Sequence, residues 1–204
     1  MRNEEEDFKK SKITKDSLRR EIKRKRDNLT PDEVTEKSKL VKEKLLSLPE
    51  FKSARIVAFY VSLKKSNEVE TGDMIREALR MGKIVLVPIT DTVEDKIVFS
   101  EIKSLGDMML GTFDILEPVP EMRKIFSNEA IRLIVVPGIV FDLEGYRIGY
   151  GLGYYDKFLS GLAKYVTKVG LAYDFQVVEK IPVEGHDVRL GKIITDERII
   201  ECND

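Results

Sequence analysis

The sequence predicts an α/β protein with a mainly parallel sheet. Three observations carry this. Short apolar runs recur along the chain, and the segments between them repeat their apolar residues at helical spacing. One run, Leu133 to Val136, leads through Pro137 to three glycines at alternate positions, Gly149, Gly151 and Gly153, and a helix-like segment opens at Tyr154. That is the strand, turn and helix order of an α/β sheet. Finally, 42% hydrophobic residues over 204 positions can build a buried core. No linker divides the chain, so one domain spanning 1–204 is expected.

Residues 1–12 are highly charged and are expected to form a disordered N-terminal extension. Lys15 to Asp27 predicts a helix, with Leu18 and Ile22 one turn apart. Thr30-Pro31-Asp32-Glu33 is a helix start: Thr30 caps, Pro31 suits the first helical position and Glu33 completes a capping box. Val34, Ser38, Val41, Leu45 and Leu48 then recur on one face. Ile56 to Val61 predicts a strand, Thr71 to Met81 a helix ended by Gly82, and Lys83 to Val87 a strand closed by Pro88. Ile97 to Ile102 predicts a third strand, and Ser104 to Phe126, with its glycines and prolines, an irregular stretch. Ser127 to Ile131 reads as a short helix, Leu133 to Val136 as a strand, Tyr154 to Leu162 as a helix and Lys168 to Ala172 as a strand. Gly191 to Ile194 and Arg198 to Ile200 read as edge strands.

The charge balance is 35 basic against 36 acidic residues, so no overall basic field argues for a nucleic-acid partner. Charged residues make up 35%, an excess that fits surface ion-pair networks and a thermophilic source. No apolar run approaches the ~20 residues of a membrane span, and the first residues lack the apolar core of a secretion signal. A cytoplasmic protein is expected. The single cysteine, Cys202, has no thiol partner and reads as incidental.

The glycine turn has two readings. Tight strand-to-helix turns often need glycine, but a glycine-rich turn at a helix start also lets backbone N–H groups approach an anion. Neither a Walker P-loop nor the dinucleotide fingerprint is present. Arg147 before the turn adds a cation. Asp156, at the third helical position, is either an acid favoured by the helix dipole or a magnesium ligand. Magnesium would call for a second carboxylate, for which Asp187 in His186-Asp187-Val188 is a candidate. His186 is the only histidine and reads as structural or supporting. Lys15 and Arg19 share a helix face and could meet phosphate, although Arg20, Lys23, Arg24, Lys25 and Arg26 make the whole helix look basic and solvated. The same cluster raises an RNA-binding option, against which stands the absence of interleaved aromatic residues. Glu68, beyond the polar loop Ser62 to Asn67, is either a solvated acid or the partner of a heterocycle presenting N–H donors, as a pterin does. Of Tyr154 and Tyr155, one is expected in the core and one at a rim.

Together these segments resemble the 5-formyltetrahydrofolate cyclo-ligase family, also called 5,10-methenyltetrahydrofolate synthetase. The resemblance runs from Lys15 to about Thr195. It rests on Lys15-Asp16-Ser17-Leu18-Arg19, Ala58-Phe59-Tyr60, Glu68-Val69-Glu70-Thr71, Glu117-Pro118, the run VVPGIVFDLEGYRIGYGLGYYDKFL and His186-Asp187. It implies a three-layer α/β/α sandwich with a mainly parallel sheet, similar to the ribose-phosphate isomerase and glucosamine-phosphate deaminase group. It implies ATP as co-substrate and Mg²⁺ as cofactor, with small-molecule substrates, no membrane or nucleic-acid partner, and a monomer or weak dimer. Lys15, Arg19, Arg147 and the loop Gly149, Tyr150, Gly151, Leu152, Gly153, Tyr154 and Tyr155 would hold ATP, with Arg147 and Lys15 as the catalytic cations. Val61, Glu68 and Tyr154 would line the folate pocket, and Asp156 and Asp187 would hold the metal. The chain departs from the family pattern at Leu152, where glycine or lysine is common, at Gly191, where an acid is common, and in a slightly longer Ser62–Asn67 loop. Two other readings stay open: the same chemistry on a different reduced pterin, and a non-catalytic nucleotide- or RNA-binding relative.

Overall fold

A computed structural model describes residues 14–202; the expected N-terminal extension lies outside the described residues. In chain order the elements are α1 (Lys15–Asp27), α2 (Pro31–Ser47), α3 (Pro49–Ser53), β1 (Ile56–Ala58), α4 (Gly72–Arg80), β2 (Ile84–Asp91), β3 (Lys96–Ile102), β4 (Met108–Leu110) and β5 (Leu116–Pro118). There follow β6 (Leu133–Val136), β7 (Val140–Asp142), β8 (Arg147–Ile148), α5 (Tyr154–Ser160), β9 (Thr167–Leu171), β10 (Val177–Val178), β11 (Lys192–Ile194) and β12 (Ile199–Glu201).

The main sheet has the order β12-β11-β9-β6-β1-β2-β3. The five strands from β11 to β2 are parallel, and β3 and β12 close the two edges antiparallel. Successive side chains of a strand point to opposite faces, and the two cores follow that alternation. Val57, Leu133 and Val135 face one core with Val41 and Leu45 of α2, Phe51 of α3 and Met74 and Ile75 of α4. Ala58, Ile134 and Val136 face the other, with Phe158 and Leu159 of α5. Helices therefore cover both faces. Each fully buried Leu or Ile here contributes about 1.5–3 kcal/mol.

A smaller sheet, β10-β7-β8, sits apart from the main one. Helix α1 packs on it through Ile22, against Ile139, Val140 and Ile148. The capping residues act locally as expected: the Thr30 hydroxyl accepts from Glu33 N, and the Glu33 carboxylate accepts from Thr30 N at 2.8 Å. A second capping box, Thr14 with Ser17, starts α1.

Several expectations are corrected. The glycine turn does not follow β6 directly; the β7–β8 hairpin intervenes, so Arg147 stands on a strand. The first strand stops at Ala58, which leaves Val61 in a loop. The second runs through Pro88 to Asp91 instead of ending there. Beside Pro88 only β3 still runs, because β1 has already ended, and a proline is tolerated on such a one-sided stretch. The stretch 104–126 contains a hairpin, β4–β5. Ser127 to Ile131 is a 3-10 turn over Asn128–Ala130. Helix α5 ends at Ser160, before Gly161. Strand β11 is internal, between β9 and β12, so of the two expected edge strands β12 alone is one. Among the described residues no helix is long and apolar enough to cross a membrane.

Candidate active site

A cavity of about 490 Å³ opens beside the glycine loop. The small sheet explains why it forms there. By carrying α1 on its surface, that sheet brings Lys15 and Arg19 to the loop that leaves β8, while the loop after β1, the end of β2 and the β4–β5 hairpin close the opposite wall. All of the sequence-derived candidates line this one cavity: Lys15, Arg19, Val61, Glu68, Arg147, Gly149 through Asp156, and Asp187.

Glycine is required at two of the loop positions. Gly151 has φ of 105° and Gly153 φ of 71°, conformations that L side chains rarely adopt. Gly153 is the N-cap residue of α5 and has no side-chain cap. Helix α5 has only 7 residues, so its macrodipole is small and the loop amides matter more for anion binding. Leu152 and Tyr150 stand half-exposed at the mouth.

The charged groups on this side are paired with one another. The Lys15 ammonium donates to Asp187 Oδ2 at 2.7 Å, and Glu184 Oε2 lies 3.5 Å from it. The Arg19 guanidinium donates to the Gly149 carbonyl at 2.9 Å and pairs with Asp16. Arg147 is buried; its Nη1 lies 3.1 Å from Asp156 Oδ1 and donates to the Val188 carbonyl at 3.3 Å. Burial pulls the Arg147 pKa down, opposed by the Asp156 charge. Asp156 Oδ1 also accepts from Val188 N at 3.2 Å, which sets it beside the loop carrying Asp187. Asp187 Oδ2 accepts from Glu184 N at 2.8 Å. Burial raises the Asp187 pKa, but the Lys15 and Glu184 donors outweigh it and hold the carboxyl below its ordinary value.

The opposite wall is drier. Glu68 is buried at 8% exposure. Its Oε2 accepts from Leu63 N at 2.7 Å and its Oε1 from the Tyr150 hydroxyl at 2.6 Å. The Tyr150 oxygen in turn accepts from Arg26 Nη2 at 2.9 Å. Burial raises the Glu68 pKa against the opposing pull of these donors and of the Arg26 charge. Burial and the Glu68 charge push the Tyr150 hydroxyl to about 12. Tyr155 has a buried hydroxyl without a partner in the cavity wall, whereas Tyr154 pairs with Phe113, ring centres 6.5 Å apart. Glu117, buried, accepts from Thr90 N at 3.0 Å and closes the far end.

His186 lies at the rim, its side chain 71% exposed and 3.4 Å from Glu184. One expectation changes here. Arg26 does not belong to a wholly solvated helix; it is 1% exposed behind Tyr150. Sequence reasoning missed Arg26 because it stands in a basic run, yet it lies four residues after Ile22, on the same apolar stripe. Among the described residues no group of three or more His, Cys, Asp or Glu forms a cluster suited to a metal.

Comparison with known proteins gives the family. A sequence profile of the 5-formyltetrahydrofolate cyclo-ligase family matches residues 11–196. The 5-formyltetrahydrofolate cyclo-ligase of Escherichia coli is 29% identical over 182 residues, covering 88% of this chain and 99% of its own. That of Saccharomyces cerevisiae is 32% identical over 203 residues, covering 89% and 94%. The solved 5,10-methenyltetrahydrofolate synthetase of Aquifex aeolicus superposes with a TM-score of 0.82 at 34% identity, over 94% of both chains. That of Mycoplasma pneumoniae, at 24% identity and a TM-score of 0.73, shares the fold over 90% of this chain and 99% of its own. A family profile matching residues 11–196, with relatives at 32% and 34% identity over most of both chains, makes this chain a member of the 5-formyltetrahydrofolate cyclo-ligase family.

Proposed function

We propose that this protein uses ATP to close 5-formyltetrahydrofolate to 5,10-methenyltetrahydrofolate, releasing ADP and phosphate. One observation carries the reading beyond family membership. A single cavity has a glycine loop rimmed by three cations, Lys15, Arg19 and Arg147, on one side and the buried carboxylate of Glu68 on the other. A triphosphate and a heterocycle with N–H donors would each meet complementary chemistry there, with their reacting ends towards one another.

A formyl amide oxygen is a poor leaving group. In the proposed reaction it attacks the γ-phosphate, and ADP leaves. N10 of the folate then attacks the activated carbon, loses its proton, and the former formyl oxygen departs within phosphate. Neither step needs a protein nucleophile. Both need alignment and neutralised phosphoryl charge. Lys15, Arg19 and Arg147 supply that charge, with Lys15 and Arg147 acting nearest the transferred group. Loop amides from Gly149 to Tyr155 bind and orient the phosphates. Glu68 orients the pterin, with Val61 and Tyr154 beside it.

The donor set suits magnesium, which takes one or two carboxylates and completes its shell with phosphate oxygens and water. Asp156 and Asp187 both line the cavity and would hold it. Bound there, the ion would neutralise phosphate charge. The ribose-phosphate isomerase-type fold group, a cytoplasmic setting and a monomeric or weakly dimeric form belong to the same reading.

The test is absorbance in the methenyl product band after adding 5-formyltetrahydrofolate, ATP and magnesium. Growth of that band with one ADP per product supports the proposal. No band, with both substrates present and the protein folded, overturns it.

A further inference from the structure

Glu68 presents a carboxylate whose two oxygens are each half used. An ionised carboxylate offers about four acceptor positions, two per oxygen. Leu63 N takes one on Oε2 and the Tyr150 hydroxyl one on Oε1. One position per oxygen remains, the pattern that accepts two parallel N–H donors from a planar ligand edge.

The protein donors are themselves held. Tyr150 belongs to the glycine loop, 82 positions from Glu68, and its oxygen is fixed by Arg26 Nη2 at 2.9 Å. Arg26 is fully enclosed, its Nε has no partner among the described residues, and its guanidinium carbon lies 5.9 Å from the Tyr150 ring centre. Asn67, directly before Glu68, has φ of 46° and donates from Nδ2 to the carbonyls of Arg26 and Leu29 at 3.0 and 3.1 Å. The segment bearing Glu68 and the end of α1 are thus tied at two places. A buried arginine among tyrosine and carboxylate is costly to maintain unless its charge is used, and the side chain its guanidinium donates to is Tyr150, which in turn donates to Glu68.

We propose that Arg26 and Tyr150 are positioning residues for Glu68: the chain Arg26 to Tyr150 to Glu68 fixes the carboxylate in one orientation, ionised, with one free acceptor position on each oxygen for the paired N–H edge of the pterin. This rests on the cyclo-ligase reading and deepens it. It also joins the two halves of the cavity, since the residue that orients the pterin's partner is part of the loop assigned to phosphate. The charged and titratable groups facing Glu68 are Arg26 from α1, Tyr150 from the loop, Tyr60 after β1 and Tyr155 from α5. Of these only Arg26 carries charge at neutral pH and favours the ionised carboxylate.

Tyr150→Phe removes one hydroxyl and keeps the ring and the backbone. In the free protein, the Glu68 carboxyl is followed by carbon NMR on protein labelled at glutamate, assigned with Glu68→Gln. Its midpoint is expected to rise by about one pH unit in Tyr150→Phe. In steady state the folate KM is expected to rise about tenfold with the ATP KM within about twofold, and the acidic limb of folate kcat/KM to move up with the carboxyl midpoint. Arg26→Lys, which keeps the charge but not the planar fork, is expected to fall between the two. An unchanged midpoint in Tyr150→Phe overturns the inference, and so does a raised midpoint with an unchanged folate KM. If the wild type makes no methenyl product, the cyclo-ligase reading falls, whereas the carboxyl titration still decides whether Tyr150 pins Glu68.

Discussion

The two walls of the cavity are built on opposite principles. On the glycine-loop side, cations are balanced one to one by carboxylates, Arg19 by the exposed Asp16 and Lys15 by the largely buried Asp187. Both cations stay partly open to solvent and can exchange partners. On the Glu68 side, a carboxylate and a guanidinium are withdrawn from solvent and joined, donor to acceptor, through the hydroxyl of the half-exposed Tyr150. Groups of that kind are expensive to leave unpaired and therefore stay where they are put. On the proposed reading the contrast is a division of labour: one wall would surrender its ion pairs to an incoming polyanion, and the other would receive a neutral, planar guest.

The widest break in this contrast should come from Asp156, which belongs to the exchangeable wall yet faces the buried Arg147. Asp156→Ala is expected to lower turnover at least ~10²-fold through lost charge stabilisation. It should also cost about 3 kcal/mol in urea unfolding, because Arg147 is left enclosed without a counter-charge. Near-normal turnover would refute the role given to Asp156. Glu68→Gln comes next: the folate KM should rise about tenfold while the ATP KM barely moves, and equal rises in both would erase the distinction between the walls. Lys15→Ala should raise the ATP KM about fivefold, near 1 kcal/mol, with the folate KM unaltered. Added salt should weaken ATP binding in the wild type more than in this variant.

The smallest effect concerns stability. The Glu68 pKa is raised by burial above the 4.5 of a free glutamate. Between that value and the raised native midpoint the folded protein keeps a proton that the unfolded chain has lost, so stability falls as pH rises through this window. Below it, both states are protonated and the difference vanishes. Glu68→Gln should flatten the fall, measured as urea midpoints from about pH 4 to pH 7. An undiminished slope would mean that another group causes it.

The exchangeable wall was the more legible of the two in the sequence. Gly149, Gly151 and Gly153 advertise a turn, and Arg147 and Asp156 flank it within a few positions. The parallel strands Ile134 and Val169 belong to were readable from apolar runs, since buried strands leave little else to write. The other wall is hidden by length and by context. Arg26 looks like its five basic neighbours until α1 is laid on Ile148 and its inward face becomes known. The β7–β8 hairpin escapes because strands of 3 and 2 residues are too short to show an alternating pattern. The β4–β5 hairpin fails for the same reason. Its connection places Phe113 and Asp114 at φ of 58° and 61°, where non-glycine residues are uncommon. Nothing local announces such a conformation.

The hydrogen bond from Lys15 to Asp187 spans 172 positions of sequence. A ribosome making this chain therefore delivers the two halves of the contact 172 residues apart. The growing polypeptide can lay down α2 to α4 and the strand between them, but its first helix waits for a partner not yet synthesised. A chain cut short before Asp187 would keep β1, β2, β3, β6 and β9 of the main sheet and lack the carboxylate that Lys15 meets, so that corner of the cavity is completed late.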